Sequence, residues 1–234
     1  MPDVPGFLPS ANGLAFTNSW PSEPDVDVQV PVYGQVTIGD ASNGLCGGMV
    51  FTVLDVFTAG LRPLQTPQPA SGDPLFDYIV TRLIDSWDVP AGILKYFEWM
   101  NTPDDDTGVW IATRHGVGTR TVVAEWPAIR ADLDAGHPCP LGLVTVASSN
   151  PADLGHNHQV LAYGYDLEGT ALTIKVYDPN TARSTADGVQ MSLDISNPAK
   201  GAPITANINI GHPVRGFFRV EYSPKDPSSL EPAI

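Results

Sequence analysis

The chain has 234 residues, enough for one large domain with a substantial core, and its 42% hydrophobic and 9% aromatic content excludes wholesale disorder. With 12 basic against 26 acidic residues the net charge is −14, a surface that repels phosphate backbones and anionic lipid and argues against nucleic-acid and membrane-surface partners. Two cysteines, Cys46 and Cys139, cannot form a disulfide framework.

Residues 1–30, rich in Pro, Ser, Asn and Asp, are expected to form an extended arm anchored by Leu14, Phe16 and Trp20. The first residues lack both a basic stretch and an apolar core of signal-peptide type, and no apolar run is long enough for a membrane helix. Cytoplasmic location is therefore the default expectation. Residues 31–223 are expected to form a single domain, and 224–234 a loose tail.

Across the arm–domain boundary, Val28 to Ile38 alternates weakly, as a short strand does. Met49, Val50, Val53, Leu54 and Phe57 recur at helical spacing, so a helix is predicted from near Asn43, stopped at Gly60. Asp73-Pro74 makes a helix start, and Leu75, Tyr78, Ile79, Leu83 and Trp87 line its apolar face. Further helices are predicted over Pro90–Met100 and Pro127–Asp134. The period then changes. Leu141–Val146, His158–Tyr165, Leu172–Asp178, Val189–Leu193, Ile204–Ile210 and Val214–Tyr222 read as strands. Helices first and a mostly antiparallel sheet second indicate an α+β fold.

Two segments carry chemistry. In Asn43-Gly44-Leu45-Cys46-Gly47-Gly48, the cysteine opens a helix, where unpaired N–H groups and the positive dipole end favour thiolate. The flanking glycines are expected to leave open backbone beside the sulfur. In the second segment, His158 stands at the mouth of a strand, and the following strand ends in Tyr177-Asp178-Pro179-Asn180. A hairpin symmetric about Glu168 would set His158 directly opposite Asp178, close enough for the carboxylate to orient the imidazole. Cys46 as nucleophile, His158 as general base and Asp178 as orienter form an arrangement suited to acyl transfer, with the Cys46 N–H in an oxyanion site. His156, two residues earlier, is a secondary candidate for the base, and Asn180 is a further secondary candidate. A metal site is set aside because no metal-ligand spacing of the HExxH or CxxC kind occurs. Cys139 reads as an inert buried thiol.

Gly44-Leu45-Cys46-Gly47 resembles the nucleophile segment of papain-like cysteine peptidases, and Asn157 to Tyr165 resembles their histidine strand. The order Cys, His, Asp is also theirs, and Asp178-Pro179 is similar to a bacterial branch of that superfamily. The resemblance covers 35–49 and 138–180. It implies a papain-like α+β domain, its nucleophile helix packed on the sheet, acting as a peptidase or amidase on a peptide or protein substrate without a cofactor. It also implies a glutamine ahead of the cysteine as oxyanion donor. Gln35 lies further from Cys46 than the family pattern has it, so Gln35 and Asn43 are both candidates. The alternatives are an inactive binding or structural module on the same scaffold and a transglutaminase-type acyltransferase. The sequence leaves the oligomeric state open.

Overall fold

The computed structural model describes residues 3–20, 27–30, 34–37, 45–109 and 112–230. Its architecture is α+β, with helices in the first half and an antiparallel sheet in the second. The helices are α1 (Pro9–Asn12), α2 (Cys46–Thr58), α3 (Pro74–Ser86), α4 (Ala91–Met100), α5 (Val117–Thr119) and α6 (Trp126–Asp134). A π-helical segment, Arg120–Glu125, joins the last two, so this helical region starts well before the predicted Pro127.

Two short hairpins, β1 (Asp27–Val30) with β2 (Gly34–Thr37) and β3 (Thr107–Val109) with β4 (Ala112–Arg114), stand apart from the main sheet. Among the described residues the main sheet has six strands: β5 (Cys139–Val144), β6 (His158–Glu168), β7 (Ala171–Tyr177), β8 (Gln190–Asp194), β9 (Thr205–Ala206) and β10 (Gly216–Arg219). The first five follow one another as a meander, and β10 returns to pair with β5 at the opposite edge. Every pairing is antiparallel.

The β6–β7 register differs from the symmetric count. The reversal sits at Gly169-Thr170, where Gly169 has φ +61°, and Glu168 pairs with Ala171. A positive φ at the first of two loop residues is the geometry that glycine supplies in tight hairpins. A bulge between Ala162 and Gly164 then shifts the ladder by one, and the last pair is Leu161 with Tyr177. Asp178 therefore lies just past the end of the ladder and reaches His158 diagonally rather than from the directly opposed position.

The glycines after Cys46 turn out to be packing sites rather than open backbone. A Cβ at Gly47 would lie 2.2 Å from Ser86 Oγ, and one at Gly48 would lie 2.0 Å from the Ile79 carbonyl oxygen. Both sites admit glycine alone, because α3 crosses α2 at that distance. Across the sheet, Gln159, Gly142 and Phe218 stand in one row on β6, β5 and β10. The Gln159 amide lies against the Gly47 site, and the Tyr96 hydroxyl lies over Gly142. This row joins α2 and α4 to the sheet.

The arm is anchored more extensively than Leu14, Phe16 and Trp20 alone imply. Val4, Phe7, Leu14 and Trp20 are all buried, and the Val4 N–H donates to Tyr163 O at 2.7 Å. The C-terminal segment is also held, contrary to the expectation of a loose tail. The Lys225 N–H donates to Asp55 Oδ1 at 3.0 Å, Arg82 donates to Ser223 O at 2.9 Å, and Ser228–Leu230 forms a helical turn. Among the described residues no helix is long and apolar enough to cross a membrane.

Candidate active site

Cys46 is the first residue of α2, preceded by Leu45 at the N-cap. The first N–H groups of a helix have no intrahelical acceptor, so the Cys46 and Gly47 amides are available to a negative charge beside the sulfur. His158 opens β6 and is buried, and its Nε2 lies 2.8 Å from Asp178 Oδ1. An ionised carboxylate only accepts, so Nε2 carries the proton and donates. Nδ1 is then the nitrogen left to face Cys46, whose charge acts on the ring. The structure thus brings His158 and Asp178 into contact, with Cys46 within electrostatic reach of the ring.

Asp178 is fully buried and fully engaged. Oδ1 accepts from His158 Nε2 and from the Asn180 N–H at 3.0 Å, while Oδ2 accepts from Thr181 Oγ1 at 2.7 Å and the Asn209 N–H at 3.2 Å. Burial alone would raise its pKa, but the His158 ring and the Thr181 and Asn180 donors outweigh burial and hold the carboxyl below its ordinary range. On His158, burial is again the largest influence and acts to lower the pKa. Negative charge at the Cys46 position and the Asp178 hydrogen bond overcome it and raise the imidazole from 6.5 to about 10. The site therefore favours the imidazolium form of His158.

The secondary candidates have different places. His156 is exposed at the rim and stacks on His212, with ring centroids 5.5 Å apart, while His158 takes the carboxylate. Asn180 braces the loop, its Oδ1 accepting from Asn18 Nδ2 at 2.9 Å and its Nδ2 donating to Asn209 O at 2.9 Å. Of the proposed oxyanion donors, Asn43 lies outside the described residues. Gln35 belongs to β2, where it pairs with Gln29, and its side chain lies outside the described atoms. Cys46 and Cys139 are free thiols. Burial, with Asp132 nearby, pushes the Cys139 thiol well above its ordinary value, which suits an inert group. Among the described residues no cluster of three or more His, Cys, Asp or Glu side chains could hold a metal ion.

Residues not singled out in the sequence also border the site. Tyr96 is buried, its hydroxyl 3.4 Å from His158 O and within electrostatic reach of Cys46. Gln159 is buried with Nε2 3.3 Å from Ser86 Oγ, and its Oε1 has no partner among the described residues. The position of Gln159 directly after His158 was the one local signal available. Asn18, far away in sequence, accepts the Leu45 N–H at 2.9 Å and offered no local signal at all.

No protein-family model matches the chain, and neither a curated protein nor a solved structure matches it.

Proposed function

We propose that this protein is a papain-like cysteine hydrolase, a peptidase or amidase that cleaves a peptide-like acyl group through Cys46, His158 and Asp178. One observation carries the reading. A buried imidazole donates to a buried carboxylate at 2.8 Å, and a cysteine at a helix start acts electrostatically on the same ring.

The chemistry follows from the geometry. The Cys46 thiolate attacks the substrate carbonyl carbon, and the electron pair moves onto oxygen beside the Cys46 N–H, with Gln35 and Asn43 the candidates for a second donor. Collapse of the tetrahedral adduct breaks the C–N bond as the His158 imidazolium protonates the departing amine. Water, deprotonated by the now neutral His158, cleaves the thioester and releases the acid. Asp178 keeps the ring in one tautomer and orientation throughout. With an amine in place of water, the same thioester would give a transglutaminase-type product, and product analysis with added amine separates the two.

A second reading, a binding module that uses the scaffold without turnover, is favoured by one observation: Cys46 is only 8% exposed. Labelling with a peptidyl vinyl sulfone followed by mass spectrometry distinguishes the readings. The hydrolase reading predicts an adduct on Cys46 in the wild type and loss of labelling by about 100-fold or more in His158→Ala, the scale of general-base assistance. A folded wild type that takes up no label supports the binding module.

A further inference from the structure

The nucleophile helix starts without a cap of its own. Leu45 stands at its N-cap and has no side-chain oxygen to offer the exposed amides of the first turn. A residue of the arm instead takes the N–H of the N-cap residue itself. Asn18 Oδ1 takes the Leu45 N–H at 2.9 Å and the Trp20 indole N–H at 3.1 Å. Its Nδ2 donates to Asn180 Oδ1 at 2.9 Å, and its backbone N–H donates to Pro179 O at 2.9 Å. One side chain therefore holds the residue before Cys46 at one end and the loop directly after Asp178 at the other.

The clamp is itself fixed. Trp20 is buried and packs edge-on against Phe76 of α3 at 5.2 Å, and Phe16 packs on Trp20 at 5.7 Å. Gln68 hydrogen-bonds to Ser19 O from the far side of the arm. On the loop side, Asn180 is braced to Asn209, whose N–H reaches Asp178 Oδ2. The thiol and the imidazole–carboxylate pair are carried by separate elements, α2 and the β6–β7 end. Beside the packing of Gln159 against Gly47, the Asn18 bridge ties those two elements at the reactive end, and their relative placement is what proton transfer between Cys46 and His158 depends on.

We infer that Asn18 is a positioning residue for the reactive pair: it docks the arm as a strut between the start of the nucleophile helix and the Asp178 loop. The inference rests on the proposed Cys46–His158 chemistry. The role needs an acceptor atom for two N–H groups and a separate donor atom on one short side chain; an amide has both, a carboxylate has no donor, and a hydroxyl has only one oxygen to serve all three partners.

The test is the pH profile of Cys46 alkylation by iodoacetamide in wild type, Asn18→Ala and Asn180→Ala, with thermal melting of each. Asn180→Ala removes the other end of the same bridge and decides the matter if Asn18→Ala fails to fold. The expected result is a rate at pH 6 about tenfold lower in the variants, the scale of one or two lost hydrogen bonds, with the acid limb displaced to higher pH. A purely structural role would lower the melting temperature and leave the profile in place. Variant profiles that superimpose on a wild type with a clear acid limb overturn the positioning role alone. A wild type with no acid limb overturns the Cys46–His158 reading itself, and the positioning role with it.

Discussion

Replacing Asp178 with alanine is expected to slow Cys46 alkylation at pH 6, and turnover of any amide substrate, by about 100-fold, within the range for an oriented general base. The carboxylate donates nothing to the reaction directly. It accepts the Nε2 proton at 2.8 Å and so leaves Nδ1 for the sulfur. It also helps hold His158 protonated up to about pH 10 from an ordinary 6.5, alongside negative charge at Cys46 and against the effect of burial. A pKa raised on folding stabilises the native state fully below pH 6.5, and that stabilisation is lost as the pH rises through about 10. Without Asp178 the upper limit moves down, so the alkaline limb of activity should fall at lower pH. Asp178→Asn keeps the shape and an acceptor oxygen but sets an amide against the Thr181 and Asn209 donors, and should lie between wild type and Asp178→Ala. A change of less than about threefold in Asp178→Ala, judged against the tenfold per pKa unit expected, would remove Asp178 from the account.

The largest effect on stability is expected away from the reactive site, at Asp55 of α2. This buried carboxylate lies 2.7 Å from Arg82 Nε, a contact that is electrostatic rather than a well-aligned hydrogen bond. It also accepts from Arg82 Nη2 at 3.2 Å, Tyr78 at 2.8 Å, Tyr222 at 2.6 Å and the Lys225 N–H at 3.0 Å. The Arg82 guanidinium, itself 1% exposed, sits over the Phe51 ring at 4.8 Å. Asp55→Ala strands that cation without its counter-charge and cuts the ties between α2, α3 and the C-terminal segment. A loss of about 3–5 kcal/mol is expected, the usual consequence of removing one partner of a buried pair. For a chain of this size that is a fall in melting temperature on the order of 10 °C. Urea unfolding measures it directly, and a loss below about 1 kcal/mol would place the pair among weak surface bridges. Asp55→Ala combined with Arg82→Met should recover part of the loss, because no charge is then left buried.

How much of this was legible beforehand divides by range along the chain. The helix start at Cys46, the strand opening at His158 and the strand ending before Asp178 are written in local patterns of glycine, apolar spacing and polar punctuation. The α+β order follows from those patterns. The contact between His158 and Asp178 was legible, but its register was not: the Gly169-Thr170 turn and the bulge at residues 162–164 each displace the count. A bulge depends on what packs around it, here an arm whose Val4 N–H meets Tyr163 O. Gly47 and Gly48 illustrate a different limit. The sequence reads them as open backbone beside the sulfur, whereas the space belongs to Ser86 and to the α3 backbone. Asn18 and Lys225 act through hydrogen bonds to residues remote in sequence, and no local pattern announces either one.

The central claim is that Cys46 and His158 form a reactive pair. The measurement that tests it most directly is the rate of iodoacetamide alkylation of Cys46 against pH, in wild type and His158→Ala, with Cys46→Ala as the blank. Rapid alkylation well below pH 7 in the wild type, abolished in His158→Ala, is the predicted result. A wild type that either stays inert or follows an ordinary thiol, with a midpoint near 8.5 in both proteins, would contradict it.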